Sequence, residues 1–340
     1  TPTGAVTRDG EPSASTRAPP VQPSEKRQRT QRTPLNVGVL GDVERSFHFS
    51  EQEHDFEVNL SDPTFTRSDD VLLYDDIFDT ANPDDWLKAG REEANSIILA
   101  NDVFESAELP KGVKPLDTKW VFRRKKNPDH SWRYKGRLVV KGFLQQWGVN
   151  YFDTFAPTAK WISLRIFLTL CACLGMLTRQ LDVKTAFLYA DLDEEVFIKL
   201  PAGIRDRRNP FGLSDEALRR CRGPYLRLKK SLYGLKQAPR NWFKLLRDFL
   251  LAEGFTNLHS EACLFVKYVG PVMILAIVFV DDILVACKDQ SLLEVVVQQF
   301  AARFNIKDSG EVNLYLSINI RMNRSEHKVE LDQLDYIALG

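Results

Sequence analysis

The sequence predicts an α+β fold in which helices alternate with antiparallel hairpins. Two hairpins carry that reading. Lys119–Lys126 and Trp132–Lys141 are strand-like stretches joined by Asn127-Pro128-Asp129-His130, residue types that favour turns. Val272–Val280 and Ile283–Ala286 are apolar strands joined across Asp281-Asp282. Helical segments interleave with such hairpins, a pattern that argues against a doubly wound parallel sheet.

The first 35 residues contain six Thr, six Pro, three Ser and two Gly and almost no large apolar side chain, so they cannot offset their ordering entropy and are expected to be a disordered linker. Residues 36–85 are acidic with scattered aromatics and are expected to be loosely ordered. The folded domain is expected over residues 86–340. Trp86–Asn101 reads as a helix, with Asp84 or Asp85 as its cap. In the strand Trp132–Lys141, the side chains of Arg133, Lys135, Arg137 and Lys141 share parity and therefore one face. Ile162–Leu174 reads as a buried helix, followed by strands at Leu177–Val183, Glu195–Leu200 and Tyr225–Lys230. Pro239 opens an amphipathic helix that runs to about Ala252. Strands follow at Leu264–Val269 and across the apolar hairpin. Ser291 or Asp289 caps a helix that reaches Phe304, and Asn313–Met322 and Lys328–Leu331 read as the last strands.

Hydrophobic residues make up 44% of the 340, enough for a sizeable core. Lys plus Arg equals Asp plus Glu at 46 each, so net charge says nothing about partners, but its distribution does. Residues 51–85 carry 12 acidic side chains and one basic one, residues 119–141 nine basic and one acidic, and residues 219–247 ten basic and none acidic. The two basic islands fit local polyanion binding or, equally, solvated faces. Five cysteines without zinc-like spacing argue for a reducing compartment and against a disulfide framework. No signal peptide is visible, the run Val272–Val280 is too short to span a bilayer, and no membrane partner is expected. A start at Thr1 rather than Met is expected of a piece of a longer product.

Asp281-Asp282 between apolar strands reads either as a plain solvated turn or as a site, since buried charge is costly unless it is paired or coordinates a metal. Asp182 bears on that choice, because it ends another apolar strand, Leu177–Val183. Two-metal phosphoryl transfer needs carboxylates from separate elements converging on one site, and oxygen ligands of this kind suit Mg²⁺ or Mn²⁺. The basic hairpin would face a triphosphate and a template backbone.

Several strings resemble copia-type retrotransposon reverse transcriptases, in family order, from about Trp86 to Gly340. They are Lys119-Trp120-Val121-Phe122, the run Arg133 to Phe143, Asp153-Thr154-Phe155-Ala156-Pro157 and the run Gln180 to Leu188. The run Ser231 to Arg240 is the most family-specific, and Phe279-Val280-Asp281-Asp282 completes the set. The resemblance implies the polymerase region of a Pol polyprotein, with fingers and palm, that copies an RNA template from a nucleic-acid primer using deoxynucleoside triphosphates and two Mg²⁺ ions, or Mn²⁺ in their place. It implies Asp182, Asp281 and Asp282 as catalytic carboxylates and metal ligands, with Asp182 and Asp281 the more direct. Lys135 and Arg137 match residues that grip the incoming triphosphate. Phe187 matches an aromatic gate against the ribose 2′-hydroxyl, although a core Phe after a strand explains it as well. Tyr233 and Gln237 match a loop near the nascent base pair. Lys141, Lys236 and Arg240 fit phosphate contacts, although the last two also suit a solvated helix start. Integrase and ribonuclease H regions of the same polyprotein are the implied neighbours, in a cytoplasmic particle or the nucleus.

Three departures stand out. Gly136 replaces a usual Ala, Ser309 a usual Leu, and Ser317 a usual Gly at a place read as strand, where glycine would permit close backbone approach. The chain ends soon after Tyr336-Ile337, so only part of a thumb or connection and no ribonuclease H domain is expected. The alternatives are a catalytically inactive retrotransposon remnant that at most binds nucleic acid, or another palm-fold enzyme, against which the run Gly234 to Arg240 argues.

Overall fold

The computed structural model describes residues 71–126 and 131–334. The expected linker, residues 36–70 of the acidic segment, the turn 127–130 and residues 335–340 lie outside the described residues. Of residues 71–82, at the end of the acidic segment, Leu72 bridges Phe122 and Ile77 is fully buried, while Val71, Leu73 and Phe78 are exposed.

In chain order the described residues form helix α1 (Pro83–Asn95) and strands β1 (Phe104–Ala107), β2 (Thr118–Lys126) and β3 (Trp132–Val140). Helix α2 (Trp161–Leu174) and strands β4 (Leu177–Val183) and β5 (Asp191–Lys199) follow, then helix α3 (Asp215–Arg220), strand β6 (Tyr225–Lys230) and helix α4 (Ala238–Ala252). Strands β7 (Thr256–Leu258), β8 (Glu261–Val269), β9 (Val272–Phe279) and β10 (Asp282–Cys287) lead to helix α5 (Gln290–Arg303). Strands β11 (Ile306–Asp308), β12 (Leu314–Tyr315), β13 (Ile318–Asn323) and β14 (Lys328–Asp332) complete the described chain.

The fold is mixed α and β with antiparallel sheets. The largest sheet has the order β11-β4-β10-β9-β8-β7, with two three-stranded sheets, β1-β6-β5 and β12-β13-β14, and the two-stranded ribbon β2-β3. Period 2 makes the large sheet two-faced. Leu181, Val183, Ile283 and Val285 pack with Trp242, Leu246 and Leu250 of α4 and with Leu293, Val296 and Phe300 of α5. Leu275, Ile277, Leu284 and Ala286 point the other way, onto Leu164, Phe167 and Cys171 of α2 and onto Tyr315, Ile318 and Ile320. A separate core joins α1, the ribbon and the β1-β6-β5 sheet.

The expected strands β2, β3, β4 and β6 appear where the alternation put them. The helix expected over Trp86–Asn101 starts earlier, with Pro83 in its first turn behind Asn82, and changes to a π-helical turn at Ser96–Ala100. Asp84 and Asp85 therefore sit in the first turn, where their charges complement the helix dipole, instead of capping it. Asp289, not Ser291, caps α5, its carboxylate accepting from the Leu292 amide at 3.0 Å. The helix α2, expected to be buried, buries only one face. Ile162 is 58% exposed and Ile166 49%, while Phe167 and Leu168 are fully buried. A helix apolar on every side gives no periodic signal of which side faces inward. Among the described residues, no helix is long and apolar enough to cross a membrane.

The single strand expected over Asn313–Met322 is two strands joined by a tight turn at Leu316-Ser317, with Tyr315 paired to Ile318. Both turn residues have positive φ, 50° and 62°. The usual glycine is thus explained by turn conformation rather than by close approach. Replacing Ser317 with Gly should raise unfolding stability by about 1 kcal/mol, the cost of holding a non-glycine residue left-handed; chemical denaturation midpoints measure it. At Gly136, by contrast, space decides: a Cβ would come 3.0 Å from the Phe122 ring and 3.1 Å from the Ala89 carbonyl oxygen.

Candidate active site

Strands β4 and β10 are neighbours, and their register places Asp182 directly opposite Asp282. Directly opposed residues project from the same side of a sheet. This is the side that carries Leu284 and Ala286, at the end of the strands. Asp281 occupies the adjoining two-residue turn with Val280, between the paired residues Phe279 and Asp282. Asp182 and the adjacent pair Asp281-Asp282, 99 residues further along the chain, are thereby brought to one edge, each partly exposed.

The turn is held in an unfavourable conformation. Val280 has φ of 54°, in the left-handed region that a β-branched side chain resists. Three elements fix its carbonyls. The Trp242 indole donates to the Val280 carbonyl at 2.7 Å, the Val183 amide to that of Asp281 at 2.9 Å, and the Tyr315 hydroxyl to that of Asp282 at 3.2 Å. Strain persists where surrounding contacts over-determine it, and these contacts do so here.

Burial pushes the Asp282 carboxyl up to about 7, and repulsion from Asp281 and Asp182 adds to the shift. Asp281 is raised by burial and by Asp182, while Arg137 and Lys135 pull it down. The carboxylates thus repel one another, and the two cations of β3 lie within electrostatic reach of Asp281. Among the described residues, no group of three or more His, Cys, Asp or Glu side chains is already drawn together to hold a metal ion. The donor set is all oxygen, open on one side and mutually repulsive, which suits a hard divalent cation that relieves the repulsion.

The other expected site residues divide into two groups. Lys135 and Arg137 lie on the outward face of β3, and Gly136, Leu138 and Val140 face the core. The Arg137 guanidinium lies over the Tyr233 ring, 4.3 Å from its centroid, and the Phe187 ring meets the Tyr233 ring edge-on at 5.2 Å. Phe187 also packs against both adjoining cores, so its place as a core residue is real whatever else it does. Lys135, Arg137 and Tyr233 lie within electrostatic reach of Asp281, and Phe187 touches Tyr233. Gln237 differs: it is fully buried, donates to the Asn150 carbonyl at 2.8 Å and accepts from the Gln145 amide at 2.9 Å. Its amide braces the loop and is not presented to a base pair. Arg240 pairs with Asp153 at 3.2 Å, and the Lys236 ammonium approaches the Tyr151 hydroxyl at 3.3 Å. Lys141 lies next to Asp117, whose carboxyl is held below its ordinary value first by Lys199 and in part by Lys141.

Sequence reasoning missed Glu93. It lies buried against β3 and accepts from the Leu138 amide at 3.4 Å, and burial pushes its carboxyl up to about 7 against the pull of Arg137. A lone Glu in a helix gives no signal of this. The reasoning also missed why two motif glycines are needed. A Cβ on Gly142 would overlap the Gly234 carbonyl, and one on Gly234 would overlap the Val140 carbonyl, both well under the 3.0 Å that real Cβ atoms keep. The Val140 amide donates to the Tyr233 carbonyl at 2.8 Å at the same crossing. The basic hairpin and the Tyr233 loop are therefore locked backbone to backbone.

The sequence matches the family model described as reverse transcriptase (RNA-dependent DNA polymerase) over residues 101–339. It is 38% identical over 253 residues to the retrovirus-related Pol polyprotein from transposon TNT 1-94 of Nicotiana tabacum, covering 74% of this chain and 18% of that protein. The Pol polyprotein from transposon RE1 of Arabidopsis thaliana is 38% identical over 254 residues, covering 74% of this chain and 16% of its own length. The transposon Ty1-H Gag-Pol polyprotein of Saccharomyces cerevisiae is 26% identical over 256 residues, covering 72% and 12%. The chain thus spans less than a fifth of the length of these relatives. With the family model matched over most of the chain and relatives 38% identical over about three quarters of it, the chain belongs to the reverse transcriptase (RNA-dependent DNA polymerase) family, in its copia-type retrotransposon branch.

Proposed function

We propose that this chain is the fingers and palm of an RNA-directed DNA polymerase, and that Asp182, Asp281 and Asp282 are its catalytic carboxylates. The observation that carries the proposal is the Asp182–Asp282 register pair, with Asp281 in the strained turn beside it. In this reading the six-stranded sheet with α2, α4 and α5 is the palm, and α1 with the β2-β3 ribbon belongs to the fingers.

Asp182 and Asp281 would hold divalent cations, with Asp282 more peripheral. When bound, such ions lower the pKa of the primer 3′-hydroxyl and offset charge on the triphosphate and departing pyrophosphate. The protein supplies the remaining parts. Arg137 and Lys135 present positive charge opposite the carboxylates, so a triphosphate between them meets charge of the right sign on the β3 side. Tyr233 sets the height of Arg137 by lying beneath its guanidinium. Phe187, braced on Tyr233, would crowd a 2′-hydroxyl and favour deoxynucleotides. Template, primer, neighbouring integrase and ribonuclease H regions, and residence in a cytoplasmic particle or the nucleus, belong to the same proposal.

The test is extension of a DNA primer on an RNA template with Mg²⁺ and deoxynucleotides. Elongated product from this chain, or from a version extended through a thumb region, is expected. Salt-dependent binding of primer–template with no product from either would identify an inactive remnant instead.

A further inference from the structure

The loop between β3 and α2 exposes large aromatic side chains to water: Phe143 is 65% exposed, Trp147 73%, Phe152 56% and Phe155 81%. Rings left in water add nothing to folding, so a concentration of them calls for another explanation. The loop carrying them is fixed rather than loose. The Trp147 indole donates to the Phe152 carbonyl at 3.1 Å, the Gly148 amide to that of Tyr151 at 2.9 Å, and the Gln146 amide to the Asn150 side chain at 3.1 Å. Buried Gln145 and Gln237 tie Asn150 to the start of α4. The Phe143, Phe152 and Phe155 rings are thus presented on a scaffold held by backbone and amide bonds, with the Trp147 indole as one of its braces.

Basic groups surround the loop. Lys141 precedes it and Lys160 ends it, the Lys236 ammonium lies 4.9 Å from the Tyr151 ring centroid, and Arg240 reaches Asp153. Fixed exposed rings among cations match what unpaired nucleic acid requires: flat faces for bases to stack on and positive charge for its backbone. Duplex offers no free base faces, so the pattern selects single strand. The loop also adjoins the Tyr233 loop, because Gly142, the residue just before it, crosses Gly234 there.

We infer that the loop of residues 143–155 is a stacking platform for the unpaired template strand ahead of the site, with Trp147 and Phe155 as its principal rings. The inference rests on the polymerase reading for the word template; binding of single strand by the loop does not. The experiment compares two fluorescent RNA–DNA duplexes by anisotropy, one blunt and one with a few unpaired template nucleotides. The intact chain should bind the overhang form more tightly. Trp147→Ala and Phe155→Ala should each reduce overhang binding about fivefold or more while blunt-duplex affinity holds, and Phe155→Ala, whose ring braces nothing in the loop, should leave the thermal midpoint unchanged. Trp147→Tyr should restore binding, since any aromatic face serves. Equal binding of the two duplexes by the intact chain overturns the inference, even if the chain extends primers. So does a loss that is equal on both duplexes, or a conversion of dimers to monomers by the variants, which would make the loop a contact between copies. An overhang preference that depends on these rings in a chain that extends no primer supports the platform and counts against the polymerase reading alone.

Discussion

Replacing Asp182 with Asn is expected to lower primer extension by on the order of 10³-fold or more while making the folded chain more stable at neutral pH. The two effects have one cause. Asn keeps the shape of Asp but removes a charge that the proposed cation site needs. It also removes repulsion that the other two carboxylates now bear, since Asp182 raises both of them. The pH dependence has a definite sign. The Asp282 carboxyl goes from an ordinary 3.8 to about 7 in the folded chain. A folded-state value above the unfolded one means the folded chain holds the proton longer, so stability falls as pH rises between those values. The gain from the Asp182→Asn substitution should be largest above pH 7, shrink as pH falls and vanish below about 4. Thermal midpoints of both proteins across that range, beside extension rates at one pH, check both halves. A variant that loses activity and stability together would mean that Asp182 supports the fold and that the loss of activity follows from unfolding.

The second large effect is steric. Gly234→Ala should cost about 3 kcal/mol or more, because its Cβ meets the Val140 carbonyl and its φ of 88° is unfavourable for any other residue. Gly142→Ala should cost a similar amount through the Gly234 carbonyl. The two faults share one crossing, so the double variant should cost less than the sum of the singles. Denaturant midpoints of the three variants measure this. Full additivity would show that the ribbon and the Tyr233 loop are not locked together as the structure has them.

What could be read from the sequence was what local chemistry dictates. Alternation marks β3, whose odd-numbered cations do point away from the core, and apolar runs mark β4, β9 and β10. Asp182 could be assigned to a strand end and Asp281 to a turn. Their meeting required the pairing of β4 with β10, which no local pattern encodes. The braces on the turn are also invisible locally: Trp242 lies 38 residues from Val280, and Tyr315 lies 33 from Asp282. Strand β1, Phe-Glu-Ser-Ala, and the three-residue strands β7 and β11 have no alternation to read and exist because a neighbouring strand pairs with them. The family resemblance, not any local pattern, is what puts Gln237 in a loop near the nascent base pair. Burial of its amide against Gln145 and Asn150 gives it a bracing role instead. Ser317 was read as part of a strand because the apolar residues around it continue on both sides of a two-residue turn.

The most direct measurement is of Mn²⁺ binding by electron paramagnetic resonance, on the intact chain and on Asp182→Asn and Asp281→Asn, with primer–template and a nonhydrolysable deoxynucleotide present. Bound Mn²⁺ that is displaced by excess Mg²⁺ and weakened about tenfold or more in each variant is the expected result. Mn²⁺ bound equally well by all three proteins would contradict the assignment of these carboxylates as the metal site.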